Sequence, residues 1–276
     1  MAVSDLYKGF IIGREGTPGR ITSKYYGVYI TGEGVYNMPE RDVELITIPG
    51  RNGALIKDNG RLNNIQVTYH CGMFGDDQTD FASNLANFRE RLAWLSCGSR
   101  LRPGPAKFYL YDDYNTDEFR LASYLGGLEV ESASLGQAGQ FDITFECKPQ
   151  RFLKSGDEYK RMDSSPWVQN PTGWVSAPKI RFIMTDTSGT IELSNSSGGQ
   201  TPFVQTITIT NAPQNEYLYI DCEIGEAYTG SDDYPVSANQ YVNMGANLPI
   251  LEAGLTTVTW SSSVTYLSIM PRWWKL

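Results

Sequence analysis

Val43-Glu-Leu-Ile-Thr-Ile-Pro-Gly-Arg-Asn-Gly-Ala-Leu-Ile-Lys-Asp-Asn-Gly-Arg-Leu-Asn-Asn-Ile-Gln-Val-Thr-Tyr-His70 is the stretch on which the fold turns. Val43, Leu45 and Thr47 alternate with Glu44, Ile46 and Ile48, and Ile65, Val67 and Tyr69 alternate with Gln66, Thr68 and His70. Successive side chains of a strand point to opposite faces, so each segment reads as a strand. Between them lie Pro49-Gly50 with Asn52-Gly53, and then Asn59-Gly60, dipeptides that supply a turn's positive φ at little steric cost. The pattern predicts one long hairpin with a punctuated centre. Ala54, Leu55 and Ile56 in that centre are apolar, in an excursion that a small sheet would struggle to cover. An arm that carries apolar residues away from its own core usually buries them on another subunit. Its turns are set by Pro49, Gly50, Asn52 and Gly53, its apolar cargo is Leu55 and Ile56, and Arg51 and Arg61 are the cations expected to reach a neighbour's carboxylates.

The run Ile48-Pro-Gly-Arg-Asn-Gly53, followed by Asp58-Asn-Gly-Arg61, by Asn64-Ile-Gln-Val-Thr-Tyr69 and, further on, by Phe145-Glu-Cys-Lys-Pro-Gln-Arg-Phe-Leu153, resembles the distal tail protein of long-tailed bacteriophages, the Dit family. The resemblance covers most of the first half and extends more loosely to the second. It implies a ring of six in which the hairpin is a belt clasping the next subunit. It also implies tail-tube protein as a partner on one side and the tail-tip hub, or tail-associated lysin, beneath. The family's second domain is a β-sandwich resembling galectins, which holds receptor-binding proteins or fills the periphery. On that resemblance the protein is a structural part of the virion at the tail tip, assembled in the cytoplasm of a bacterial host.

Composition agrees with such a role. The 276 residues are 41% hydrophobic and 12% aromatic, enough for real cores, and a chain of this length accommodates two domains. Lys and Arg number 23 against 31 Asp and Glu, a net charge of −8, so there is no basic field to hold a phosphate backbone and no nucleic-acid binding is expected. No apolar run follows the N-terminus and none is long enough to span a bilayer, so neither a signal peptide nor membrane insertion is expected. Cys71, Cys97, Cys147 and Cys222 lie far apart, and are expected to be small buried hydrophobes rather than metal ligands.

Outward from the arm, an opening strand at 6–12 ends in a Gly-rich loop, and Tyr-rich residues 21–30 read as another strand. Phe81, Leu85, Phe88, Leu92 and Leu95 recur at steps of four and three, which predicts a helix capped by Thr79 or Asp80, stopped at Gly98 and packed by one face on a sheet. Strands are expected at 108–111, 119–125, 128–131 and 140–147, the last with Phe141, Ile143, Phe145 and Cys147 on its core face. The punctuated, aromatic stretch 148–178 reads as the boundary, dividing a ring-forming domain, 1–154, from a peripheral sandwich, 155–276. Six short strands at 180–184, 190–193, 205–209, 217–223, 256–260 and 265–269 follow, the spacing of a sandwich or jelly roll. The fold class is thus mainly β: an antiparallel domain with one covering helix and a hairpin arm, then a galectin-like β-sandwich.

Chemistry has few candidates. His70 is the single histidine, and the adjacent Cys71 points to the opposite face of the strand, so nucleophilic catalysis lacks its set. Asp76, Asp77 and Asp80 match no known Ca²⁺-loop spacing. Asp112, Asp113, Asp117 and Glu118, or Glu216, Asp221, Glu223 and Glu226, could pair as glycosidase carboxylates, but in a chain with 31 acids solvated surface is the explanation for most of them. Neither catalytic, cofactor nor metal residues are assigned. Asn195-Ser-Ser197 matches a glycosylation acceptor and reads as a polar turn. The rival function is carbohydrate binding to the host wall, on the aromatics Tyr217, Tyr219, Tyr228, Tyr234, Tyr241, Trp260, Trp273 and Trp274; the galectins' His-x-Asn-Pro-Arg run is absent.

Overall fold

The computed structural model describes residues 7–14, 19–32, 34–76, 78–97, 104–133, 137–163, 165–196, 203–231 and 234–276. Among them the chain is mainly β with one α-helix, and it divides into two compact units, Met1–Arg151 with Leu276, and Phe152–Lys275.

The first unit is organised by the long strand Ala138–Leu153, which pairs antiparallel with Ile65–Phe74 from Ala138 opposite Phe74 to Cys147 opposite Ile65. Around it the sheet runs in the order Ile21–Thr22, Phe10–Ile12, Lys107–Asp112, Glu118–Ser123, Ala138–Leu153, Ile65–Phe74, Val28–Ile30. The expected alternation holds: Phe141, Ile143, Phe145 and Cys147 are buried, as are Val67, Tyr69 and Cys71 on the partner strand. Helix Gln78–Cys97 covers this face with Phe81, Phe88 and Leu92 buried and Leu85 and Leu95 packed at the rim, and the Phe88 ring lies 6.1 Å from Phe141. Asp80 sits in the helix's first turn, where its carboxylate accepts from the Asp76 N–H at 3.1 Å and the Asn84 amide at 3.2 Å. The expected stop at Gly98, and Asp77, lie outside the described residues.

Residues 21–30 are not one strand. Ile21–Thr22 and Val28–Ile30 are separated by a 3₁₀ turn over Ser23–Tyr26, because Ser23 is buried with its Oγ accepting from the Phe10 N–H at 3.0 Å. The turn ends at Gly27, with φ 69°, where a Cβ would come 2.4 Å from the Phe74 carbonyl oxygen. Residues 128–130 likewise carry no strand, which begins only at Glu131.

The second unit is a β-sandwich. One sheet orders Lys160–Arg161, Val264–Met270, Lys179–Met184, Tyr217–Asp221, Glu226–Gly230 and Pro235–Ser237; the other orders Trp167–Asn170, Gly254–Trp260, Gly189–Ser196, Phe203–Ile209 and Val242–Asn243. Ile180, Phe182, Leu218 and Ile269 of the first meet Ile191, Leu193, Ile207 and Val258 of the second in one core. The punctuated stretch is woven into this core. The Leu153 N–H donates to the Trp273 carbonyl at 2.8 Å, the Met162 N–H to Leu267 at 2.9 Å and the Val258 N–H to Pro166 at 2.8 Å, and Met162 and Val168 are buried. Its prolines and glycines break the chain into short edge pieces, the places where sheets tolerate them. Asn195 is no turn: it is a buried strand residue whose Oδ1 accepts from the Thr256 hydroxyl at 2.6 Å and whose Nδ2 donates to the Ile250 carbonyl at 3.3 Å. Cys71, Cys147 and Cys222 are buried, which pushes each thiol up to about 12, whereas Cys97, against expectation, is exposed at the helix end.

Candidate functional site: the hairpin arm

The arm is a separate two-stranded sheet, Arg41–Thr47 against Ala54–Leu62, closed by a turn over residues 48–53. The Arg51 N–H donates to the Ile48 carbonyl at 3.2 Å, and Gly50 and Gly53 both take φ 79°, the left-handed conformation that explains glycine after Pro49 and Asn52. This differs from the pairing expected from sequence, since Ile65–Phe74 belongs to the main sheet and the arm's return strand is the apolar segment that had been read as the excursion. Asn59-Gly60 is not a second turn. Between the pairs Val43 with Asp58 and Arg41 with Leu62, Asp42 alone faces residues 59–61, a bulge in which Gly60 adopts φ 76°. Positive-φ glycines serve bulges as readily as hairpin ends.

Polar contacts lock that bulge. Arg41 grips Asp58 with both Nε and Nη2, at 2.9 and 2.7 Å, and Asp58 also accepts from the Gly60 N–H at 2.8 Å. Asp42 takes the Arg61 Nε at 2.6 Å and the Asn59 amide at 3.1 Å, and Lys57 meets Glu44 at 3.0 Å. The Arg61 hydrogen bond holds Asp42 below the ordinary carboxylate range, and Arg41 does the same for Asp58. Arg61 is therefore engaged within its own arm rather than held out for a neighbour, and Arg41 and Lys57 are further arm cations.

Opposed residues of an antiparallel pair share a face. Leu45 faces Ile56 with Val43 and Ala54 beside them, while Ile46 faces Leu55 on the other side, next to Glu44 and Lys57. Leu45 is 65% and Ile56 67% exposed, Leu55 47% and Ile46 36%. Leu55 and Ile56 are thus on opposite faces, and the sequence reading missed Leu45 and Ile46, the residues across from them. Among the described residues each arm strand pairs only with the other, so both outer edges present backbone N–H and C=O groups, a template for further strands. The root is held where the Asn63 N–H donates to the Glu40 carbonyl at 2.9 Å and the Arg151 Nη2 to the Val35 carbonyl at 2.8 Å.

The other candidates are dispersed. His70 Nδ1 lies 2.6 Å from Asp142 Oδ1 on the exposed side of the sheet. Asp112 accepts the Tyr69 hydroxyl at 2.8 Å, Asp113 pairs with Lys24 at 2.7 Å, and Asp221 is held by both terminal nitrogens of Arg272 at 2.7 Å. Among the described residues no three His, Cys, Asp or Glu side chains gather as a metal site, and no helix is long and apolar enough to cross a membrane. Of the second unit's aromatics, Trp273 is core, Tyr241 and Trp260 pack at its edge, and Trp274 stacks on Trp174 at 4.9 Å. Tyr217, Tyr219 and Tyr228 stand together on the six-stranded sheet, and Tyr234 is 82% exposed.

No family model matches the sequence, and no curated protein matches it. Solved structures do match. The Dit protein (gp 19.1) of phage SPP1, described as a paradigm of the hub adsorption apparatus in phages infecting Gram-positive bacteria, aligns over 94% of this chain and 96% of its own with a TM-score of 0.62 at 13% identity. Structures of the phage p2 baseplate in its activated conformation, with strontium and with calcium, align over 95% of this chain and 96% of theirs, with TM-scores of 0.55 and 0.53 at 7% identity. Over nearly its whole length, this chain has the fold of phage Dit and baseplate proteins.

Proposed function

We propose that this protein is a structural component of the far end of a long phage tail, where copies join through the arm into a closed ring, six in number, between the tail tube and the tail-tip hub. Its seat is then the virion. The first unit builds the ring, and the second serves the host-adsorption apparatus and its receptor-binding proteins. The observation that carries this reading is the arm: a sheet of two strands, apolar on both faces near its tip, exposed along nearly its whole length and with two free edges. A lone two-stranded ribbon is marginal in water, and a contact from one copy's arm to a different surface of the next is heterologous, the kind that closes into rings. The whole-chain likeness to a Dit protein supports the tail as its setting. No step of this role calls for a bound cofactor or for catalysis.

The test is mass in solution. Light scattering of the purified protein, alone and mixed with its tail-tube and hub partners, is expected to show a discrete ring. A protein that stays monomeric even with both partners present overturns the proposal.

A further inference from the structure

The two outer faces of the sandwich differ in chemistry. On the five-stranded sheet, the residues alternating with the core include Thr190, Glu192, Ser194, Thr206, Thr208, Thr257 and Thr259 together with the exposed Trp167, Val204 and Leu255, and its strands carry no Lys or Arg among the described residues. On the six-stranded sheet, Ile180, Phe182 and Met184 point to the core, so Lys179, Arg181 and Ile183 point away from it. Register then sets Ser268, Arg181, Tyr219, Tyr228 and Ser237 side by side on five neighbouring strands, with Tyr217 beside Ile183 one step along.

These tyrosines and cations are interleaved. The Arg181 guanidinium lies 4.0 Å from the Tyr159 ring and 5.5 Å from Tyr217, and Lys179 Nζ lies 5.3 Å from Tyr228 and 5.9 Å from Tyr219. At the sheet edge Arg161 lies 4.9 Å from the Tyr266 ring. The Tyr219 and Tyr228 rings are nearly parallel at 5.2 Å. Cations held against ring faces are fixed in place before any ligand arrives, which lowers the ordering cost of binding. Tyr217 and Tyr266 remain 38% and 50% exposed. Among the acids of this face, Asp221 stands opposite Lys179 and is tied to Arg272, which also meets Glu223, Glu226 sits beside Asp221, and Asp163 pairs with Arg161, which leaves Arg181 as the cation of the row without an ion pair among the described residues.

We propose that this face binds an anionic glycan, a sugar chain carrying carboxylate or phosphate groups. Tyrosine offers an apolar ring for the C–H face of a sugar and a hydroxyl for its oxygens, while Arg181 meets the negative charge; Lys179, 6% exposed and opposite Asp221, holds the row from beneath. A protein partner fits less well, because interface cores are depleted in charge and this row has one aliphatic neighbour, Ile183. The inference goes beyond the ring role and stands or falls separately from it, since ring mass is a different measurement.

The experiment is titration of the full-length protein with polygalacturonate, with poly(glycerol phosphate) and with neutral dextran, at low and high salt. Binding to at least one anionic polymer is expected, weakened by salt, with dextran inert; which polymer binds separates carboxylate from phosphate recognition. Tyr217→Ala with Tyr266→Ala should weaken binding roughly tenfold while circular dichroism stays native, and Arg181→Gln should weaken it with the tyrosines in place. No binding to either anionic polymer, equal binding to dextran, or undiminished binding by the variants overturns the proposal. A fall in oligomer mass in the tyrosine variant without any glycan binding overturns it too, and assigns the face to a protein partner.

Discussion

Arg272 takes a left-handed φ of 56° and delivers both terminal nitrogens to Asp221 at 2.7 Å. Burial is the largest single influence on Asp221 and raises its pKa, but the hydrogen bonds and charge of Arg272, together with the Glu223 N–H and the Lys179 charge, outweigh it and the net shift is downward. A carboxylate with a depressed folded pKa contributes stability that is complete above its unfolded value, near ~3.9, and is lost as pH falls through the folded value. Urea unfolding of the second unit as a function of pH should therefore steepen below about pH 4, and Asp221→Asn should cost about 2 kcal/mol at neutral pH while flattening that acid limb. Parallel curves for the two proteins would show that the pair contributes nothing. Two glycines give a second paired expectation. A Cβ on Gly156 would stand 2.4 Å from the Trp273 backbone nitrogen, whereas one on Gly173 meets nothing within 4 Å. Backbone cannot give way as a flexible side chain can, so Gly156→Ala should destabilise by roughly 1–3 kcal/mol and Gly173→Ala by almost nothing in the same thermal melts.

At the scale of elements, the arm shows how charge and apolar surface divide labour. The Arg41–Asp58, Arg61–Asp42 and Lys57–Glu44 pairs fix its bulge and lower half, and Leu45, Ile46, Leu55 and Ile56 dress the half nearer the tip. Replacing Leu45 and Ile56 by Asp charges one face only, and replacing Ile46 and Leu55 charges the other, so the two double variants report which face meets the neighbouring subunit. The expected outcome is native circular dichroism in both and loss of assembled mass in at least one; assembly unchanged in both sinks the clasp, and unfolding in either places the arm in its own unit's core. The arm also marks where sequence reading stopped. Alternation revealed the strands 43–48 and 65–70 but not their partners, because period two fixes a strand's faces and leaves its neighbour open. The helix was plain from its Phe81-to-Leu95 stripe, and strand 140–147 from four apolar residues in phase, since both patterns answer to a core in the same unit. The pair Leu45 and Ile56 escaped notice because contact across a hairpin depends on which strand returns, and the sequence reading set 43–48 against 65–70 instead of 54–62. Tyr217, Tyr219 and Tyr228 were visible as aromatics, but their alignment in one row with Arg181 was not, because it rests on strand order.

For the whole molecule, the decisive question is which residues each unit needs in order to stand alone. Sequence punctuation set the division after Lys154, and the contacts of the chain set it between Arg151 and Phe152. The difference is small in number and large in meaning, because residues 154–170, within the stretch 148–178 that reads as the boundary, supply an edge strand to each sheet of the sandwich: Lys160–Arg161 beside Val264–Met270, and Trp167–Asn170 beside Gly254–Trp260. Met162 and Val168 are buried with Trp273 in the same core, and each large apolar side chain so placed is worth about 1.5–3 kcal/mol, a large share of a domain's net stability of about 5–15 kcal/mol. A fragment of residues 152–275 should therefore fold with a single cooperative transition. A fragment of 171–275 contains every strand of the central sandwich yet lacks these two edges and both buried side chains, and it should be unfolded or molten, with weak near-ultraviolet circular dichroism. For the same reason trypsin should spare Lys160 and Arg161 in the intact protein and cut first at Arg51, which stands in the exposed turn of the arm, and assembly into a ring should protect that bond. Early cleavage at Lys160 or Arg161, or a 171–275 fragment as stable as 152–275, would mean that the stretch is a linker and that the sandwich is complete without it.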